Sequence, residues 1–349
     1  MLDVMNAYVR RRNQQTQNEF QKRESVAWYK EDFYRGRREW ILHRWELKGE
    51  PNTWRDQLDA AYRRQPVFAL IGGMTAGAWQ PVGDFCERNE TPCLFPETAV
   101  PDLTPASDYS IYFSRGLAGE AEALARYLAT TSGSLVVQVY RDRELGRVPA
   151  EALRAAFRNH SGARIQDRIV PAGQALTAAW WDSLLRDHHP TALVLWLHDR
   201  DLDSLAGRTD LPAIFLSPTL IKEPFTLNLA TDNIYLTWPF ALPGNPAPEE
   251  KRVRGWLLSR GVARRHERTQ FNAYFAMSLL DCSLTRMVGN FSRDYLIETI
   301  EHETETSVNP GVFPRLSLGP GQRFASKGAY IVKLSPDSIV KAVSDWIVP

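Results

Sequence analysis

The residues of this 349-residue chain whose types and spacing most invite chemistry are Gly73, Thr75, Glu97 and Thr98. Gly73 and Thr75 belong to Gly72-Gly73-Met74-Thr75-Ala76-Gly77, which follows the apolar run 67–71 and precedes an amphipathic segment, 78–88. Glu97 and Thr98 follow the next short apolar run, 92–95. A continuous apolar run bounded by glycine reads as a strand buried on both faces of a parallel sheet, so residues 66–96 predict strand, glycine turn, helix, strand. In such a unit the turn lies at the carboxyl edge of the sheet, where open α/β folds place their ligands. Glycine allows close approach of backbone to a bound group, and free amides at a helix start attract a carboxylate or another anion. Thr75 adds a hydroxyl at that mouth. The same pattern also fits a plain βαβ turn that binds nothing, and the rest of the chain has to decide.

Other candidates stand at later strand ends. Tyr140 and Arg141 close and follow the run 135–140, Asp199 follows 192–197, and Ser217 follows 213–216. Asp199 could hold an ammonium group or cap a short helix over 202–206. Ser217 precedes a proline and is equally a turn residue, and Arg141 is equally a surface charge. Tyr274 lies near the start of a long predicted helix, 268–288. His188-His189 end a helix, where they complement its dipole, and are not assigned to a metal. No Cys/His spacing suggests zinc or haem attachment. No G-x-S-x-G, P-loop, G-x-G-x-x-G or H-E-x-x-H occurs, and GGMTAG lacks the third glycine of a dinucleotide site. We therefore assign no catalytic residue, metal or cofactor, and the chain is not read as an enzyme.

Length and composition frame these residues. The chain can hold two domains with cores of their own, and 44% hydrophobic with 24% charged residues is ordinary for a globular protein. A formal charge of +1 argues against a nucleic-acid partner. No run of about 18 apolar residues is present to span a membrane. The start, MLDVMNAYVRRRNQQTQ, lacks the apolar core of a secretory signal, so the chain is either cytoplasmic or a mature form or fragment of a periplasmic protein. Cys86 and Cys93 are close enough in sequence to pair in an oxidising compartment or to pack as buried thiols; Cys282 is expected to pack as a small apolar side chain.

The elements that must position the candidates follow from periodicity. Residues 1–34 predict a helix, with Arg10-Arg11-Arg12 as a solvated face; 40–47 a strand; and 53–64 a helix capped by Thr53. After the strand 109–113, helices over 117–129, 149–159 and 175–187 alternate with strands over 135–140, 164–170, 192–197 and 213–216, and 234–238 adds another strand. That alternation predicts a parallel, doubly wound sheet. Five residues among 239–248 are proline or glycine, marking a crossing segment. Helices over 249–259, 268–288 and 293–303 follow, then a hairpin of 313–318 with 329–334, and a closing helix, 336–346.

Four stretches in this order resemble the type I periplasmic binding proteins, in particular the branched-chain amino acid and amide receptors of ABC importers, over about 34–334. PVFALIGGMTAGAWQPV resembles the family's strand and hydroxyl-bearing loop, and TPCLFPETAVPDLT its second strand and ligand loop. YSIYFSRGLAGEAEALARYLA resembles the first crossing, and FNAYFAMSLLDCSLTRMV the long helix that returns to the first lobe. The resemblance implies an α/β fold of two doubly wound parallel-sheet lobes joined by three crossovers, near Ser114, Pro239 and Val308. Lobe 1 would comprise 36–114 and 240–307 and lobe 2 would comprise 115–239 and 308–349, behind a helical segment, 1–35. It implies that Thr75 meets a ligand carboxylate, that Thr98 and its neighbours bind the head group, and that Tyr274 is the return-helix tyrosine. Departures from the family are Leu145, where amino-acid receptors often carry an aromatic, and Glu97, a carboxylate in a loop that is usually neutral. LDVMNAYVRRRN resembles the closing helix of a small c-type cytochrome domain.

The expected function is that of a solute-binding protein taking a small polar ligand (an amino acid, amide or small carboxylate) in a cleft between lobes, for an ABC permease. Gly73, Thr75, Glu97, Thr98 and Tyr274 would line it from one lobe, and Tyr140, Arg141, Asp199 and Ser217 from the other. The alternative is a sensory or interaction domain of the same fold with a degenerate cleft, serving a cytochrome or oxidoreductase partner.

Overall fold

The computed structural model describes residues 1–21, 38–75, 77–102, 104, 107–130, 134–158, 163–221, 233–244, 248–335 and 340–349. The helices are α1 (Leu2–Gln21), α2 (Trp54–Arg64), α3 (Gln80–Arg88), α4 (Gly116–Ala129), α5 (Glu144–Phe157), α6 (Ala178–His188), α7 (Asp199–Leu202), α8 (Pro248–Ser259), α9 (Glu267–Arg286) and α10 (Arg293–Glu303). The strands are β1 (Leu70–Ile71), β2 (Cys93–Leu94), β3 (Ser110–Ile111), β4 (Ser134–Arg141), β5 (Ala163–Val170), β6 (Ala192–Trp196), β7 (Ala213–Leu216), β8 (Ile234–Trp238), β9 (Tyr330–Leu334) and β10 (Val340–Ala342). They form two compact α/β units, Met1–Phe113 with Gly244–Ser326 and Ser114–Pro243 with Lys327–Pro349. The chain thus crosses three times. The third crossing falls at Ser326, not near Val308, because Phe313 stacks on Phe113 and Phe324 on Tyr112, at 5.4 and 5.6 Å.

In the first unit β1, β2 and β3 pair in parallel, in that order. β1 is shorter than the apolar run 67–71 because the carbonyls of Val67 and Phe68 turn to the Arg293 guanidinium, at 2.7 and 3.1 Å. The strand expected over 40–47 is irregular. Trp40 uses both backbone polar groups on the Asn13 side chain, each at 2.8 Å, and its alternating side chains feed two cores. Trp40 and Leu42 join α1, α8 and α9, whereas Trp45 and Leu47 join α2 and α3. Thr53 does not cap α2 with its side chain, which donates instead to the Glu50 carbonyl at the start of a short 3-10 turn, Pro51–Thr53.

The helix at the start of the chain belongs to this unit's core and is not a separate segment; residues 22–35 of that expectation lie outside the described residues. Val4, Met5 and Tyr8 pack with Val253, Leu257, Phe271 and Tyr274. Arg12, expected on a solvated face, is only 2% exposed and pairs with Asp281 at 2.5 Å, with its guanidinium 5.5 Å from the Trp40 ring. A guanidinium taken out of water needs such a partner, and here the pair fastens α1 to α9.

The second unit carries one seven-stranded sheet of order β10-β9-β8-β7-β6-β4-β5, in which β4 to β8 are parallel and β9 and β10 antiparallel. Val137, Leu193, Leu195, Ile214 and Leu236 fill the core with Trp181 from α6. β9 pairs with β8, so the hairpin expected between 313–318 and 329–334 does not form. The helix expected over 336–346 is replaced in its described part by β10, which continues the sheet beyond β9. α5 begins at Glu144, five residues ahead of the expected start, with the acidic residue favourably placed in its first turn. Thr177 caps α6, accepting from the Trp180 amide. Cys282, expected to be buried, is exposed.

Candidate functional site

In the first unit the chain leaves β1 and β2 side by side, and the two following loops stay paired beyond the sheet. Gly72 N–H donates to Leu94 O at 2.8 Å, Glu97 N–H to Gly73 O at 2.9 Å, Thr75 N–H to Glu97 O at 3.2 Å and Trp79 N–H to Val100 O at 3.2 Å. Isolated parallel bridges join Met74 to Glu97 and Ala78 to Val100. Gly73, Thr75, Glu97 and Thr98 are thereby brought together in one platform at the carboxyl ends of two parallel strands. Two backbones this close in register leave little room for side chains between them, which is where the glycines matter. Gly73 has φ +105°, and a Cβ there would lie 2.4 Å from Cη2 of Trp79. Only glycine satisfies both demands.

The two threonines differ in what their hydroxyls are free to do. Thr98 Oγ1 donates to Gly77 O at 3.2 Å and accepts from Val100 N–H at 3.1 Å, tying the loops together. Thr75 Oγ1 accepts from Gly77 N–H at 3.2 Å, which leaves its own proton available to an acceptor outside the loop. Met74, beside it, is 64% exposed. Phe95, which opens the second loop, is buried at φ +55°, a conformation that costs a bulky residue about 1–2 kcal/mol. The rings of Phe113 and Phe275, 4.8 and 5.4 Å away, hold it there. Such strain kept in place by packing is a mark of functional loops.

The Glu97 side chain turns to α9, where Asn272 Nδ2 donates to it at 2.6 Å. Burial pushes its carboxyl above the usual range, and Asn272 and Arg268 only partly offset that. Asn272 and Phe275 are three residues apart and share the face of α9 that meets the platform. Tyr274, two residues after Asn272, is about 200° round the helix and so faces elsewhere. It packs on Tyr8 at 5.9 Å and Trp256 at 5.1 Å, and burial raises its phenol. The structure therefore places Tyr274 in the aromatic core with α1 and puts Asn272 against the platform. Sequence reading missed Asn272, Met74 and Trp79; the three-residue spacing of Asn272 and Phe275 was the available signal for the first.

In the second unit Tyr140, Arg141, Asp199 and Ser217 all lie at the carboxyl ends of parallel strands, the first two closing β4 and the others following β6 and β7. Arg141 is fully engaged. Nε and Nη2 reach Asp201 at 3.4 and 2.5 Å, and Nη1 donates to Pro171 O and Gln174 O at 2.8 and 2.6 Å. The Tyr140 hydroxyl donates to Asp167 at 3.3 Å, and burial, ahead of that carboxylate, raises its phenol. Gly146 lets α5 close on this strand end, since a Cβ there would lie 2.5 Å from Arg141 O. Asp199 is the first residue of α7, whose cap position belongs to His198, so it does not cap the helix 202–206 that was expected. Ser217 Oγ accepts from Thr219 N–H at 3.1 Å in a turn. Nearby, the buried Glu120 carboxylate accepts from Thr219 and Thr237, bracing the loop after β7 against α4 and β8. Among the described residues no group of three or more His, Cys, Asp or Glu side chains is arranged to hold a metal ion. No described helix is long and apolar enough to cross a membrane.

Residues 46–335 match the model of a periplasmic binding protein family. The chain belongs to the periplasmic binding protein family. That is a family of solute-binding proteins rather than of enzymes, and α1 lies ahead of the matched region. Solved structures of similar fold include a branched-chain amino acid ABC transporter protein from Thermus thermophilus with bound valine, at TM-score 0.67 and 15% identity over 86% of this chain and 83% of that one. A leucine-binding protein from Thermotoga maritima has TM-score 0.66 and 13% identity over 99% and 95%. A fatty acid ABC transporter substrate-binding protein from Thermomonospora curvata has TM-score 0.62 and 15% identity over 99% and 89%. At these identities the likeness is one of fold. No curated protein matches the chain in sequence.

Proposed function

We propose that this chain is a solute-binding protein that takes up a small polar ligand with a carboxylate or amide group and delivers it to an ABC-type importer, in the periplasm that is typical of its family. The observation that carries the reading is the paired platform after β1 and β2, where Thr75 keeps a hydroxyl proton for an acceptor while Thr98 is bound up in the loop. A carboxylate or amide oxygen is the acceptor such a hydroxyl suits. Valine, leucine and fatty acids, the ligands of the three proteins of like fold, share an acid group and an apolar tail, which agrees with an exposed Met74 next to Thr75.

Thermal-shift and calorimetric titration with amino acids, amides, urea, and short and medium-chain carboxylates tests this. At least one acid or amide should raise the melting temperature, and Thr75→Ala should weaken its binding while Thr98→Ala lowers stability first. A chain stabilised by none of these compounds would sink the proposal.

A second reading has one observation in its favour. Arg141 and Tyr140 spend their polar groups on partners within their own unit, as a scaffold with a degenerate site would. Under that reading the chain is a sensory or redox-partner domain, and it would bind a protein from an oxidoreductase system while ignoring every small ligand in the same screen.

A further inference from the structure

Cys86 and Cys93 lie in a place where two thiols are of no use to ligand binding. Cys86 is on the buried face of α3 with Val82 and Phe85, and Cys93 is the first residue of β2. Neither has any exposed surface, and both sit in the cluster formed with Trp54, Leu58, Trp79 and Tyr112. The turn between them is tight: Thr91 N–H donates back to Cys86 O at 2.9 Å, and Glu90 takes φ +45°. That turn folds the strand start back onto the helix end, and both side chains are buried in the same apolar cluster. No other thiol shares the cluster, and Cys282 is exposed elsewhere, on α9.

We propose that Cys86 and Cys93 are a disulfide-forming pair, oxidised by thiol–disulfide exchange with a disulfide-bearing oxidant as the chain folds. In the first step the thiolate of one cysteine attacks a sulfur of the oxidant, breaking its S–S bond and releasing one thiolate of it. The second cysteine loses its proton to solvent and attacks the mixed disulfide, forming the Cys86–Cys93 bond and expelling the second thiolate. The oxidant gains two electrons, and the chain loses two hydrogens. Two features of the structure fix when this happens. The pair is sealed from solvent, and the neighbouring Cys93, with burial behind it, holds the Cys86 thiol well above its ordinary value, so the folded pair attacks slowly. Exchange therefore takes place while the α3–β2 turn is formed but the cluster is still open.

The bond would join the helix that continues the 72–79 loop to the strand that feeds the 95–101 loop, fixing both arms of the platform from behind. Its occurrence in the cell rests on the periplasmic reading above, because that compartment is oxidising; its chemistry does not.

The test uses the full chain with Cys282→Ser, unfolded, reduced and refolded in a buffer of reduced and oxidised glutathione. After alkylation under denaturing conditions we expect no free thiol, a mass lower by two hydrogens and a cross-linked peptide containing Cys86 and Cys93. The same protein folded first and then given oxidised glutathione should keep both thiols at least tenfold longer. Melting of the oxidised form should exceed that of the reduced form, a difference that vanishes in Cys86→Ala/Cys93→Ala. Two free thiols after refolding, or glutathione left on either cysteine at equilibrium, would overturn the proposal. Neither result depends on whether the chain binds a ligand.

Discussion

Asn272 donates a hydrogen bond of 2.6 Å to the carboxylate of Glu97, joining the return helix α9 to the second loop of the platform. Desolvation keeps the Glu97 carboxyl above its ordinary value of 4.5, so the folded chain holds this proton more tightly than the unfolded one. Stability contributed by such a group is complete below the ordinary value and is lost as pH rises through the raised one. Glu97→Gln should therefore melt higher than the parent at about pH 8, with the gap closing as pH falls to about 4. Thermal unfolding across that range measures it, and a lower melting temperature for the variant at pH 8 would contradict the stated environment.

Arg12 and Asp281 should behave as one unit. Arg12→Ala leaves a half-buried carboxylate without its guanidinium and is expected to cost about 3 kcal/mol. Asp281→Asn should cost a similar amount, and the double variant much less than the sum. Denaturant unfolding of the four proteins gives the coupling. Simple additivity would mean that α1 is held by its apolar residues alone.

Arg141 was a ligand candidate by position, and its four hydrogen bonds make it a brace. Arg141→Met should lower stability by about 3 kcal/mol, since Asp201 is left partly buried and unpaired. If the variant melts normally but loses ligand affinity, the residue belongs to the site after all.

Gly73→Ala is expected to lose more than about 1 kcal/mol, because alanine is strained at positive φ, and its Cβ drives the Trp79 ring aside. Tryptophan emission should shift with it. An alanine variant with parental melting and emission would show that the ring is not seated on the glycine.

The phenol of Tyr109 donates to Asp294 at 2.5 Å, and that bond, ahead of burial, pushes it up to about 12. Its contribution to stability is present below the ordinary phenol value and is lost as pH rises toward about 12. Asp294→Asn should bring the tyrosinate absorbance change back toward the ordinary value. An unchanged titration would assign the shift to another tyrosine.

The parallel alternation of the second unit was legible because β4, β6, β7 and β8 are short, mostly buried apolar runs and helices separate β4, β5 and β6. The platform was legible for the same reason: apolar run, then glycine. The failures each have a local cause. Residues 40–47 alternate in hydrophobicity because they serve two cores, which a period-2 pattern cannot distinguish from a sheet. The closing segment carries helical spacing, yet β9 offers an unpaired edge, and a three-residue strand satisfies it. For the site, strand order identified positions but not partners. Whether Arg141 meets a ligand or Asp201, and whether Glu97 points outward or to Asn272, depends on residues 60 and 175 positions away.

Among the described residues β5 ends the seven-stranded sheet, and its outer backbone is a margin for strand addition from another chain. Such margins seed polymers when they are flat and greasy. Here Arg164, Asp167 and Arg168 interrupt the strand, and Asp167 is anchored to Gln138 at 2.6 Å and to Arg154 at 2.6 Å. A newcomer pairing along β5 would have to strip water from those charges, so this margin is kept from templating fibres.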